Sequence, residues 1–219
     1  MAVNPYRVGP DPSSETRRVR SLYDKQASRY DRRVQLMEKL VFGDGREWVC
    51  SQASGDVLEV AVGTGRNLGL YPRGARLTGL DLSPAMLKVA RERARELGVS
   101  LDLREGDAQT LEFPDASFDT VVCTLSLCTI PDDRKAVSEM RRVLRPGGRL
   151  LLLDHVRASS RLGRAVQRLL EPLAVKFGGD HLLRRPLEHV QAKGFVVERR
   201  ERYKLGIVER LCARKTGSG

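Results

Sequence analysis

The sequence predicts an α/β fold: a doubly wound, mostly parallel sheet of seven strands with helices on both faces. Three observations carry this. Short apolar, β-branched runs alternate with amphipathic stretches along most of the 219 residues, as repeated βαβ units require. The first of those runs ends in the glycine-rich turn Gly63-Thr64-Gly65. Acids recur at the same edge of successive units: Glu59, Asp81 and Asp107.

Residues 17–30 and 34–51 have helical patterning, the second broken at Gly43-Asp44-Gly45. Strands are expected at 56–62, 75–81, 100–104, 118–125 and 149–155. Ser83-Pro84 makes a helix entry, the hydroxyl capping and the proline taking the first position, and Gly98 ends that helix. Another helix is expected over 132–144, stopped by Pro146-Gly147-Gly148. Helices near 160–171 and 185–193 and strands at 195–202 and 206–213 complete the pattern. Residues 1–13 are expected as a disordered lead-in and 14–219 as one domain, with a helical cap over about 14–54.

Hydrophobic residues make up 41% and charged residues 31%, which suits a globular chain, and no apolar run reaches the length of a membrane span. The first residues lack the apolar core of a signal peptide. Cys50, Cys123, Cys128 and Cys212 show no CxxC spacing and no paired histidines. A structural zinc site is not expected, and a reduced, cytoplasmic setting is.

Ligands of such sheets bind beyond the carboxyl ends of the strands, where the strand order reverses. The first turn reads Gly63-Thr64-Gly65-Arg66-Asn67-Leu68. A dinucleotide fingerprint wants a small residue where Leu68 stands, and no GxxxxGK[ST] loop occurs. The acids give the turn its meaning. Asp81 is spaced to accept both hydroxyls of a ribose, and a row of acids suits a ligand with a cationic head, an amino acid moiety and a free ribose.

The segments VLEVAVGTGRN, LTGLDLSPAMLKVARERA, GDAQTLEFPDASFDTVVCTLSLCTI and MRRVLRPGGRLLLLDHV together resemble the class I S-adenosylmethionine-dependent methyltransferases, over about residues 22–213. The resemblance implies a Rossmann-like sheet, S-adenosyl-L-methionine as methyl donor, S-adenosyl-L-homocysteine as product and no metal. It implies that Gly63 and Gly65 let the backbone approach the cofactor's amino acid part, with Asn67 in the same turn. Glu59 would orient that loop and the ammonium end, Asp81 would take the ribose, and Leu82 and Met86 would flank adenine. Asp107 would accept from the adenine amino group beside Ala108, and Thr124, Leu125 and Ser126 would floor the site. Tyr23 and Tyr30 match an N-terminal helix that closes over the cofactor. Where the family has glycine this chain has Ala61, tolerable if that residue keeps a negative φ.

Methyl transfer from a sulfonium is an in-line displacement, so the protein mainly aligns a nucleophile; orientation supplies about 7–11 kcal/mol. Residues 123–128 lack the [ND]PP[YF] motif of nucleobase methylation, a cysteine after proline, and a terminal acid of the metal-dependent catechol type. VVCTLSLCTI with PGG and DHV most resembles the thiol methyltransferases of the methyltransferase-like group. Phospholipid N-methyltransferases and quinone-ring C-methyltransferases come next. A thiol acceptor is therefore expected, since a positive field favours thiolate over a cationic amine. The lipid amine or quinone ring at a membrane surface is the alternative. His155 and His181 are the candidate bases, and with Tyr30 and Ser126 they form the expected substrate side.

The net charge of +11 fits either base composition, since 31 of the 39 basic residues are arginine, or an anionic partner. Arg157, Arg161, Arg164 and Arg168 share one helix face, opposite Leu162, Val166, Leu169 and Leu173. Two readings follow: peripheral contact with an anionic membrane at its inner face, or a helix covering the sheet with a solvated basic face, which is the reading taken. Aromatic residues are 5% of the chain and are not interleaved with the arginines, which argues against nucleic acid.

Overall fold

The structure, a computed structural model, describes residues 12–217. Most of the expected lead-in lies outside the described residues, and its last two positions already belong to a helix. The strands are Asp56–Val60 (β1), Arg76–Asp81 (β2), Leu101–Glu105 (β3), Phe118–Thr124 (β4), Leu144–His155 (β5), Phe195–Tyr203 (β6) and Val208–Lys215 (β7). The helices are Pro12–Gln26 (α1), Tyr30–Val41 (α2), Gly45–Cys50 (α3), Pro84–Leu97 (α4), Asp133–Val143 (α5), Arg161–Gly178 (α6) and Pro186–Ala192 (α7). The sheet runs β3-β2-β1-β4-β5-β7-β6, parallel through β5, with β7 antiparallel to both its neighbours.

Alternation along the strands builds two cores, because successive side chains point to opposite faces. Leu58, Val60, Val121, Cys123, Leu150 and Leu152 pack with Ala136, Val137 and Met140 of α5 and Val190 of α7. Val57, Val122, Leu151 and Leu153 point the other way and pack with Phe42 and Val49 of the N-terminal helices. That parity decides the site: Glu59 and Thr124 share the second face, so they meet α3 rather than α5.

Three boundaries differ from expectation, each for a local reason. β5 begins at Leu144, before Pro146-Gly147-Gly148, because its pairing with β4 continues across a register shift between Phe118 and Thr120. α6 runs through Pro172 to a left-handed cap at Gly179 instead of stopping at Glu171. The first helix ends at Gln26, and a short 3-10 turn leads directly into α2 at Tyr30.

The reading of α6 as a cover for the sheet is also overturned. Gln167 is its buried residue: its amide oxygen accepts from Ala158 N (2.7 Å) and its nitrogen donates to Val156 O (2.9 Å). Glu171 accepts from Leu182 N (2.8 Å) and Arg164 donates to Ala158 O and Ser159 O. The helix is thus attached by polar bonds, and Leu162, Val166, Leu169 and Leu173 stay exposed. Arg157 precedes the helix, so Arg161, Arg164 and Arg168 alone of the four lie on it.

The cap is fixed to the sheet through α4. Ser83 Oγ accepts from Met86 N (3.1 Å) as the N-cap of α4 and donates to Asp24 Oδ1 of α1 (2.5 Å). Ser83→Ala should therefore lower unfolding free energy by about 1–2 kcal/mol, read from the denaturant midpoint at unchanged slope. An unaltered midpoint would show that the cap does not depend on this hydroxyl.

Candidate functional site

The sheet order reverses between β1 and β4, and a cavity opens beyond the carboxyl ends of the strands there. Each strand end supplies part of its wall: Ala61 and Gly63 after β1, Asp81 and Leu82 after β2, Asp107 and Ala108 after β3, and Thr124, Leu125 and Ser126 at β4. Met86 of α4 and Tyr23 and Tyr30 of the cap close it. These are residues that the sequence nominated. Glu59, Gly65 and Asn67 do not line the cavity, nor do His155 and His181.

Gly65 has a packing duty. A Cβ there would meet Leu68 Cδ1 at 2.8 Å and Ala90 Cβ at 3.3 Å, so the glycine lets the turn sit on α4. Gly63 is the opposite case: a Cβ would find nothing within 4 Å, and its φ of +57° is left-handed. Its N–H donates to Asp81 Oδ2 (2.8 Å), while Asp81 Oδ1 accepts from Ser83 N (2.9 Å). Burial of this carboxyl raises its pKa to about 6.

Ala61 overturns an expectation. Its φ is +56°, not negative, so alanine holds the conformation that glycine would take freely. Leu125 across the cavity has φ +55°. Among the described residues, two of the five non-glycine residues with positive φ thus lie in this wall, as strain at functional sites is distributed.

Glu59 and Asn67 serve the site from behind it. Asn67 is fully buried; its Nδ2 donates to Glu59 Oε1 (2.7 Å) and to Thr124 Oγ1 (2.9 Å). Tyr71 O–H donates to Glu59 Oε2 (2.7 Å), and burial raises the Glu59 pKa to about 7. Arg46 of α3 donates through Nη1 to Asn67 Oδ1 (2.9 Å) and Thr124 Oγ1 (2.8 Å), and through Nε and Nη2 to Glu38. Arg46 also lines the cavity, and the sequence reading missed it. Of its five N–H groups one is left over, so it can meet a carboxylate. The signal was faint: one arginine among 31, just after the Gly43-Asp44-Gly45 break.

Next to Tyr23 and Tyr30 lies a second cluster. Their rings stand 6.1 Å apart at 60°, and Tyr23 O–H donates to Gly178 O (3.3 Å) at the end of α6. Beyond Gly178, Asp180 Oδ1 lies 3.6 Å from Cys128 Sγ and 3.8 Å from His155 Nε2, and Asp154 Oδ2 accepts from Cys128 N. No ligand grouping at the strand ends was expected, yet Cys128, His155 and Asp180 bring one donor atom each within 4.8 Å of one another. Burial and the two carboxylates push the Cys128 thiol well up, so it is a neutral donor to Asp180. Burial opposes charge on His155, but Asp180 and Asp154 outweigh it and raise its pKa. His181 is separated from this cluster: its ring faces the groove between α1 and α6, 3.5 Å from Glu171, with its pKa lowered by burial and by Arg184.

Fold and site together define an α/β protein that binds a ribose-bearing cofactor at the switch point of its sheet. Residues 58–152 match the family described as "Methyltransferase domain". The chain is 46% identical over 103 residues to a phosphatidylethanolamine N-methyltransferase of Cereibacter sphaeroides, covering 46% of this chain and 51% of that protein. It thus spans about half the length of that relative. A demethylmenaquinone methyltransferase of Deinococcus radiodurans is 36% identical over 169 residues, covering 73% of this chain and 69% of that one. A solved S-adenosylmethionine-dependent methyltransferase of Thermotoga maritima superposes with a TM-score of 0.69 at 22% identity, covering 90% of this chain and 100% of that chain. The chain belongs to the class I S-adenosylmethionine-dependent methyltransferases.

The residues present fit that cofactor. The open cradle at Gly63, the acids Asp81 and Asp107, and the spare Arg46 donor are complementary to an amino acid end, ribose hydroxyls and an adenine amino group. The pKa of Asp81 gives a test with a definite sign. Its empty-state value is about 6, and hydroxyl donors favour the ionised form. Binding must then expel a proton below that pH, so affinity is full above about pH 6 and falls up to tenfold per unit below it. Calorimetry with S-adenosylhomocysteine should show this slope, and Asp81→Asn should bind more weakly and without it. A slope that persists in Asp81→Asn would remove Asp81 from the ribose.

Proposed function

We propose that this chain methylates the amine of a phospholipid headgroup, with S-adenosylmethionine as methyl donor. The observation that carries this is the pairing of two aromatic rings with a carboxylate beside the cofactor cavity: Tyr23 and Tyr30 against Asp180. An ammonium is attracted to aromatic faces and to a nearby carboxylate. Burial raises the pKa of both phenols, so the rings stay neutral and add no repulsion toward Asp180.

The bound cofactor supplies an activated methyl group and a neutral leaving group. The chain's own residues then have two tasks. Tyr23, Tyr30 and Asp180 hold the headgroup amine against the cavity, which supplies orientation. The amine must lose a proton before it can attack, and Asp180 with His155 forms the pair that receives it. His155, with its raised pKa, retains that proton until the product leaves.

The thiol expectation rested on the resemblance of VVCTLSLCTI and on a positive field; Asp180 and Asp154, beside Cys128, set carboxylates in that field, which favours an ammonium there. The relatives lean the same way, toward a lipid amine or a quinone ring. The quinone ring is the second reading, favoured by the greater share of this chain, 73%, that its relative covers.

Turnover of labelled cofactor over phosphatidylethanolamine, a reduced demethylated naphthoquinone and a panel of thiols separates these readings. The amine lipid should turn over fastest. Asp180→Asn should lower that rate by about 10²-fold and leave S-adenosylhomocysteine affinity unchanged, because Asp180 does not line the cofactor cavity. A thiol or quinone faster than the lipid amine, or full activity in Asp180→Asn, would overturn the proposal.

A further inference from the structure

α6 is an amphipathic helix turned inside out. Leu162, Val166, Leu169, Leu170, Leu173 and Phe177 are all exposed, Leu162 and Leu169 by more than three quarters of their surface (76% and 78%). At 3.6 residues per turn these six positions share a stripe about 100° wide. In a globular protein such a stripe faces the core, yet here the inward face is Gln167 and Glu171, attached by hydrogen bonds. Contiguous exposed apolar surface of this kind marks a docking site.

We propose that the outer face of α6 lies in the surface of an anionic lipid bilayer and delivers the headgroup to the cavity. Charge selects this occupant. The helix carries Arg161, Arg164, Arg168 and Lys176 against the single acid Glu171, a net of +3, on a chain of net charge +11. Basic side chains with exposed leucine and phenylalanine are the composition of an interfacial helix, and each basic residue adds attraction to anionic headgroups. A second copy of the chain would bring the same +3 helix against itself, which like-charge juxtaposition opposes. No described helix is long and apolar enough to cross a membrane, so α6 would lie on the surface rather than span it.

Continuity with the site strengthens the assignment. The chain leaves α6 through Gly178, whose carbonyl accepts from Tyr23 of the cavity wall, and two residues later reaches Asp180. A helix seated at the headgroup level thus places the carboxylate that receives the amine at that level too. The purpose of the docking rests on the lipid-amine reading, but its geometry does not.

Flotation tests it. The intact chain is mixed with vesicles of phosphatidylcholine alone or with added phosphatidylglycerol, and the floating fraction is measured at low and high salt. Wild type should float with the anionic vesicles and be released by salt. The exposed pair Leu169→Ser with Leu173→Ser should weaken partition at least about tenfold, with its denaturant midpoint unchanged. Arg161→Gln with Arg168→Gln should weaken it about tenfold on anionic vesicles and leave the weak binding to phosphatidylcholine as it was.

Methylation of monomeric, short-chain phosphatidylethanolamine should be the same in the Leu169/Leu173 variant and in wild type. If neither methylates that lipid while flotation follows these expectations, the acceptor reading fails and the docking stands. Wild type that does not float, or a Leu169/Leu173 variant that floats equally well, overturns the docking. So does a dimer in sedimentation equilibrium that the same substitutions dissociate in the absence of flotation.

Discussion

The wall of the site at the switch point depends on one buried side chain, the carboxamide of Asn67. Its two ends are both used: the nitrogen donates to Glu59 of β1 and to Thr124 of β4, and the oxygen accepts from Arg46 of α3. Three separate segments are thereby held at fixed spacing around the point where the sheet order reverses. A buried polar network is costly unless each member finds partners, and here Glu59 is completed by Tyr71 and Arg46 by Glu38. Removing any one member would strand the others. This is how a short glycine turn, soft by itself, becomes a fixed wall.

The cap then acts as more than a cover. Asp31 of α2 accepts from Thr64 Oγ1 (2.6 Å) and pairs with Arg93 of α4, while Tyr203 donates to Phe42 O (2.9 Å). The N-terminal helices are therefore tied to the turn, to α4 and to the far edge of the sheet. Cavity-lining groups from the cap, Tyr23, Tyr30 and Arg46, inherit that placement. The strain at Ala61 and Leu125 is borne by the same framework, since a left-handed non-glycine residue costs about 1–2 kcal/mol and persists only where its neighbours hold it.

Much of this was legible in the sequence because it is periodic or local. Strand alternation, the Ser83-Pro84 entry, the Gly98 stop and the acids Asp81 and Asp107 all follow from spacing within a few residues. What was not legible depends on which face a residue takes after the chain returns from far away. Glu59 is expected to orient both the loop and the ammonium end; it does bond Asn67 of the loop, but its parity with Val57 turns it toward α3 and away from the cavity wall. Arg46 and Asp180 meet the site from distant segments, and no local pattern marks them. α6 misled for a related reason: amphipathicity locates an apolar stripe but not the side from which the protein approaches, and Gln167 fixed that side.

Arg46, held by Asn67, Thr124 and Glu38, lines the cavity with one N–H to spare, which suits the carboxylate of a bound cofactor. Calorimetry with S-adenosylhomocysteine and with 5′-methylthioadenosine, which lacks the amino acid end, tests it directly. Wild type should prefer the first by one to two orders of magnitude, as a charge-assisted hydrogen bond of about 1.5–3 kcal/mol allows, and Arg46→Gln should lose most of that preference. An equal preference in Arg46→Gln and wild type would contradict the account.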